Sequence, residues 1–304
     1  METILLKAFT FVALIVLGYA LKKIRYFSTV DFSSVSRIVL GITLPCAVIT
    51  NFSTMQIQVS LLLLVLLGLG LDLFLSWIGF LWKKRESREE AAFHVINLSG
   101  FNIGSFGMPF VQNFLGAGGI VPVCIFDVGN AIMCTGATYT LAATVLKSGE
   151  KQTLGSFLKN LVSSVPLDTY VIMLILTLCR VRLPDFVLQI TSLAGSANPF
   201  LCMLMIGIGF EFHLNKRYIR RVFSILAVRY FLAIALAAVF YLFLPMPQES
   251  RLAVALVMLT PISACGPAFS YRLGLDVELS SAVNSLGILI SLVLMTGMML
   301  LFGV

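Results

Sequence analysis

Residues 97–119 read NLSGFNIGSFGMPFVQNFLGAGG, a stretch apolar enough for a bilayer yet too rich in Asn, Ser, Gly and Pro for one uninterrupted helix. Pro109 has no backbone N–H, and its ring clashes with the carbonyl four residues earlier. Gly100, Gly104 and Gly107 weaken the turns before it, so the helix is expected to open between Gly104 and Pro109. Open backbone at membrane depth is tolerated only where protein or a water-filled cavity covers it. In membrane carriers such interruptions lie near the midplane and hold the substrate.

Working outward, composition sets the class. Of 304 residues, 59% are hydrophobic and 12% charged, with a mean hydropathy of +1.00; soluble domains run about 45–50% apolar and about 25% charged. The chain is therefore expected to be an all-α integral membrane protein. A spanning helix needs about 20 mostly apolar residues. Ten such stretches are present, at 3–21, 36–54, 59–82, 91–115, 120–146, 164–180, 185–211, 222–244, 251–272 and 279–302, which leaves little for a soluble domain. The net charge of +7 comes from basic residues in the short loops between spans. It reads as membrane topology and headgroup contact, with no nucleic-acid partner. The first apolar run begins at residue 3 with almost no basic flank and no cleavage site after it, so it is expected to be a retained helix.

No enzyme chemistry or cofactor is indicated. Six cysteines are scattered through apolar segments without CxxC or CxxH spacing and read as free thiols packed as small hydrophobes. Neither His94 nor His213 has a metal-ligand neighbour at i+3 or i+4, and no GxSxG, HExxH or P-loop pattern occurs. Glu211 and His213 read as solvated residues closing the seventh span.

Loop charge sets orientation. With the N-terminus outside, the loops after odd-numbered spans carry sixteen basic residues, the opposite side carries four (Lys7, Arg180, Arg182 and Arg251), and Arg229 lies within a span. That bias predicts a multi-pass plasma-membrane protein with both termini extracellular. The basic linker around 147–160 divides the chain into 1–148 and 149–304, five spans each, and an odd number of spans per half requires the halves to lie inverted. Internal similarity supports this: Pro45 answers Pro199, Gly116 of FLG answers Gly274 of RLG, and the Gly107–Pro109 interruption answers Pro261, Gly266 and Pro267 of TPISACGP. Paired interruptions in two halves point to a transporter site.

At these residues the chain resembles the auxin efflux carriers and their bacterial relatives. The likeness runs over nearly the whole length: the Leu44–Pro45 motif, the N-x-x-G-x-x-G-x-P pattern through Asn102, Gly104, Gly107 and Pro109, IFDVGNAI at 125–132, and the run from Pro261 to Gly274 and Asp276. The resemblance implies a ten-helix inverted-repeat carrier with crossed, broken helices 4 and 9. It implies spans 1, 2, 6 and 7 as a dimerising scaffold and the remainder as a moving transport unit. It implies organic anions, auxin-like or dicarboxylate, as substrates. Where relatives place an Asn after the second-crossover proline, this chain has Ser263, Cys265 and Gly266. The alternative reading is a sodium-coupled symporter of the related bile-acid type, and coupling to Na+ or H+ stays open.

The polar residues inside the spans narrow the site. A charge at mid-span costs at least about 2.5–3.5 kcal/mol. Asp72 and Arg229 occupy equivalent depths in spans 3 and 8 and are expected to pair, as a structural salt bridge or a coupling and gating element; snorkelling without pairing is the other reading. Asp127 and Asn130, three apart, share a helix face directed at span 4. Ionised, Asp127 would hold a cation or proton there; protonated, it would donate a hydrogen bond to a bound carboxylate; the other reading places it near enough a helix end to meet headgroup water. Asn102, Ser105, Gly107 and Pro109 in span 4, Asp127 and Asn130 in span 5, and Pro261, Ser263, Cys265 and Gly266 in span 9 form the expected substrate site. Its neutral side-chain donors and the free N–H groups of two half-helix ends would hold a carboxylate without Lys or Arg. Trp77, Trp82, Tyr139, Tyr230 and Tyr241 read as interface anchors. The small-residue runs LGLGLD at 67–72 and IGIGF at 206–210 permit close helix approach.

Overall fold

The computed structural model describes residues 2–54, 59–147, 155, 159, 161–210 and 218–302. The described part of the chain is all-helical. In chain order, α1 (Glu2–Lys23) is followed by α2 (Thr29–Ile38), α3 (Leu44–Phe52), α4 (Leu63–Lys83), α5 (Arg88–Leu98), α6 (Met108–Phe114), α7 (Ala117–Ile132) and α8 (Thr138–Leu146). The second half holds α9 (Val165–Leu178), α10 (Asp185–Ser196), α11 (Asn198–Gly209), α12 (Ile219–Phe243), α13 (Gln248–Met258), α14 (Gly266–Arg272) and α15 (Val277–Phe302). Among the described residues, seven segments are long and apolar enough to cross a membrane: α1, Val30–Phe52, α4, Ala117–Leu146, Asp185–Gly209, α12 and α15. The other apolar stretches are the shorter α9 and two interrupted pairs, α5 with α6 and α13 with α14. Most of the 147–160 linker lies outside the described residues, as do Glu211 and His213.

The two interrupted pairs match closely. In each, an 11-residue helix gives way to non-helical chain, and a 7-residue α-helix with a proline in its first turn, Pro109 or Pro267, comes before the next span; in the first pair the π-helical turn Ile103–Gly107 precedes it. Each short helix then runs into Leu-Gly, and both glycines, Gly116 and Gly274, have positive φ (62° and 67°). Positive φ is disfavoured for side chains bearing Cβ. The correspondence of FLG with RLG is therefore a shared backbone requirement as well as a letter match.

The prolines also explain two of the three wide helical turns among the described residues, Met133–Ala137 being the third. Val39–Thr43 and Ile103–Gly107 are π-helical, and each ends two residues before a proline, Pro45 or Pro109. Widening the helix there relieves the clash of the proline ring with the preceding turn. As a result the fourth apolar stretch opens earlier than expected. It leaves the helix at Ser99–Asn102, and Pro109 sits in a continuing helix.

Two packing groups result. In one, α1 lies on α11, and α3 lies on α9 and α10. Gly18 and Gly207 face each other where α1 meets α11, and a Cβ on Gly18 would come within 3.0 Å of the Gly207 Cα. In the other, α4 packs on α5 and α7, α12 on α13, α13 on α7, and α14 on α15. Gly129 meets the α4 backbone and Gly68 the α7 backbone, so both small-residue runs are used for close helix approach. Outward faces are apolar, as at Leu6, Phe9, Leu193, Phe231 and Val293, which suits lipid as the surrounding solvent. Tyr139 and Tyr230 correct the expectation of interface anchors, since both are buried. The Tyr230 hydroxyl donates to the Gly287 carbonyl at 2.5 Å and lies 2.7 Å from Ser291 Oγ. Trp77 is exposed.

Candidate functional site

The site grows out of the break after α5. Ser99 takes an extended conformation (φ −87°, ψ 163°) and Gly100 a φ of +77°, so helical hydrogen bonding stops at Leu98. Four residues of backbone are then left without helical partners inside an apolar protein, and each buried N–H and C=O needs another.

Side chains from neighbouring helices supply them. Arg229 of α12 donates from Nη1 to the Leu98 carbonyl and from Nη2 to the Gly100 carbonyl, both at 3.0 Å. Its guanidinium also lies 4.4 Å from the centre of the Phe101 ring. A cation at the carbonyl end of α5 is also favoured by the helix dipole. Asp72 of α4 takes the opposite polarity. Its Oδ1 accepts the Gly100 N–H at 3.0 Å, and its backbone carbonyl accepts the Ser99 hydroxyl at 3.2 Å. Asn130 of α7 serves Phe101 on both sides, its Oδ1 accepting the Phe101 N–H at 3.0 Å and its Nδ2 donating to the Phe101 carbonyl at 3.1 Å.

The expected direct pairing of Asp72 with Arg229 is corrected by this geometry. Both side chains are buried, and no ion pair within 4.0 Å joins them among the described residues. Each instead binds a complementary backbone group of the same opened segment. Asp72 Oδ2 and Arg229 Nε remain without hydrogen-bond partners.

The second break, Leu259–Cys265, crosses the first. The Asn102 N–H donates to the Pro261 carbonyl at 2.9 Å, so the interruptions touch backbone to backbone. Close approach requires Gly100, where a Cβ would come within 2.6 Å of the Ser263 Cβ, and Gly107, where it would come within 2.8 Å of Thr260 Cγ2.

Beside the crossing lies a cavity of about 480 Å³. Asn102, Ser105, Asp127, Asn130, Ser263 and Cys265, all expected at the site, line it together. The other four expected residues do not. Pro261 contributes the carbonyl that binds Asn102, Gly107 packs on Thr260, Pro109 is buried in α6, and Gly266 lines only a small gap behind the crossing. Free backbone donors were expected near Pro109. The helix restarts at Ile103, so the groups without helical acceptors are those of its first turn, including Gly104 and Ser105 on the cavity wall.

Asp127 is 6% exposed and lines the cavity. Its Oδ1 accepts from Asn130 Nδ2 at 2.7 Å, and its Oδ2 accepts from the Tyr170 hydroxyl of α9 at 3.0 Å. By contrast, the Asn102 side chain is 8% exposed and makes no hydrogen bond with protein among the described residues, leaving its amide for the cavity.

Of the lining residues outside the expected set, Tyr170 and Arg37 bear most on the chemistry of the site. Tyr170 stood in an apolar stretch as an unremarked polar group, and its position inside a span was the available signal. Arg37 had been assigned to loop charge, yet it lines the cavity and ends a helix that continues into the membrane. The site is therefore not free of cations. The described cysteines are free, as expected.

A multi-pass helical membrane protein whose broken helices meet beside a polar-lined cavity belongs among membrane transporters. The model of the family described as membrane transport protein matches residues 3–299, and the chain belongs to that family, which includes the auxin efflux carriers. Comparison with curated proteins gives no match.

Proposed function

We propose that this transporter is a secondary carrier of a small organic anion and works by alternating access at the crossing of the two broken helices. In this reading the chain crosses the membrane ten times as two inverted halves. The group of α1–α3 and α9–α11 acts as scaffold, pairing with a second copy, and α4–α8 with α12–α15 move against it. The matching order of elements in the two interrupted pairs and the two packing groups support the division.

One observation carries the substrate reading. The Asn102 backbone is fixed to Pro261 at 2.9 Å while its buried amide faces the cavity without a protein partner. An amide donor beside the free N–H groups of a helix start suits a carboxylate, because hydrogen bonds to a charged group are the stronger kind. Arg37 on the same wall adds a positive charge for an arriving anion. The test is a thermal-shift screen of the purified protein against carboxylic acids, including indole-3-acetate and succinate, with and without sodium. A specific ligand raises the melting temperature as its concentration passes Kd. A screen in which no acid stabilises the protein counts against the reading.

A further inference from the structure

The residues that line the cavity and the contacts that hold α6 on the other side of the crossing form two distinct sets. The cavity wall includes Ser36 and Arg37 at the end of α2, and Ser164 and Pro166 at the start of α9. These positions lie on the face where α1 ends. Toward the opposite face, where α1 begins, α6 is held against α1, α10 and α11.

That hold is polar and partly buried. Gln112 of α6 donates from Nε2 to the Gly195 carbonyl at 3.0 Å, and its Oε1 accepts from Asn198 Nδ2 at 3.4 Å. Asn198, fully buried, is fixed in turn by the Thr43 hydroxyl, which donates to its Oδ1 at 3.0 Å. Farther out, Lys7 of α1 donates to the Asn113 carbonyl at 2.6 Å, and Phe11 packs edge-on against Phe110 and Phe114.

We infer that the Gln112–Asn198–Thr43 strap is the gate that closes the substrate cavity on the face where α1 begins, and that it opens when α6 moves away from the α10–α11 junction. The strap joins the two packing groups of the fold, so relative motion between them must break it. Side-chain amides suit such a joint, because the water that enters on opening supplies both with new partners. An apolar seal of the same size would have no such exchange. This inference rests on the alternating-access reading.

The native thiols report the state of the gate. Cys134 and Cys265 line the cavity, so a membrane-impermeant maleimide reaches them from whichever face is open. Right-side-out and inside-out membrane vesicles holding the full chain are labelled, and adducts on the Cys134 and Cys265 peptides are quantified by mass spectrometry. In the wild-type protein labelling is expected mainly in the orientation that presents the Arg37 face. Gln112→Met keeps the volume and removes both strap bonds, and labelling from the closed face should rise about tenfold, the population shift expected for two lost hydrogen bonds. Thr43→Val frees Asn198 without touching α6 and should move labelling the same way. Unchanged sidedness in both variants, with melting curves showing folded protein, overturns the gate. Equal labelling from both faces in the wild type also overturns the gate, since no face is then closed; labelling from both faces that saturating indole-3-acetate or succinate does not shift would instead count against alternating access itself.

Discussion

Replacing Arg229 by Met removes the group that closes the carbonyl end of α5. The variant loses two charged hydrogen bonds, to Leu98 and Gly100, and the cation over the Phe101 ring. It leaves two carbonyls to find other partners and the Asp72 carboxylate buried without a cation nearby. Removing one partner of a buried charge arrangement costs about 3–5 kcal/mol, and a protein of this size then melts on the order of 6–15 °C lower. Asp72→Asn differs, because the amide keeps an oxygen to accept the Gly100 N–H and Arg229 keeps both carbonyls. Its expected cost is about 1–2 kcal/mol. In the double variant neither charge is left buried alone, so it should be less unstable than the sum of the singles. Thermal unfolding of the three variants in one detergent decides this. Arg229→Met melting within about 2 °C of the wild type, or Asp72→Asn melting below it, would refute the argument that these charges hold the break.

Three more expectations follow from the same geometry. Asn130→Leu removes both hydrogen bonds to Phe101 and should cost about 2–4 kcal/mol in thermal unfolding, whereas a loss under about 1 kcal/mol would place the support of Phe101 elsewhere. Gly100→Ala forces a side chain onto a φ of +77° and into the Ser263 Cβ, so the crossing should separate; binding of any acid found in the screen should fall at least about tenfold, and intact binding would show that the crossing tolerates the change. For topology, a cysteine at Ser87 should be protected from an impermeant reagent added to intact cells and one at Gln248 should react, with the reverse pattern placing both termini inside.

The existence of two breaks was legible because Gly and Pro within apolar stretches have few other uses, and their pairing followed from Pro109 with Pro267 and Gly116 with Gly274. The position of the first break was not legible. Pro109 looked like the stop, but Ile103–Gly107 widens into a π-turn that carries the helix past it. The actual stop is set by Gly100 together with Asp72, Asn130 and Arg229, which lie far away in sequence. Asp72 and Arg229 were visible as intramembrane charges. That each would bind backbone depends on where the open peptide groups point, which periodicity does not encode. Asp127 and Asn130 declared a shared face by their spacing, but Tyr170, the second partner of Asp127, comes from the other half of the chain. Arg37 was hidden by a sound rule, since a basic residue between spans usually only sets orientation.

The most direct test of the account is the affinity of Asn102 variants for the acid that the screen identifies, measured by calorimetry on the purified protein. Asn102→Ala removes one hydrogen bond to a charged group, worth about 1.5–3 kcal/mol, which is about a ten- to a hundredfold loss in affinity. Asn102→Asp should bind more weakly still, since it sets a carboxylate against the ligand. Wild-type affinity in both variants, with unchanged melting temperatures before ligand is added, would move the substrate away from the crossing and contradict the central claim.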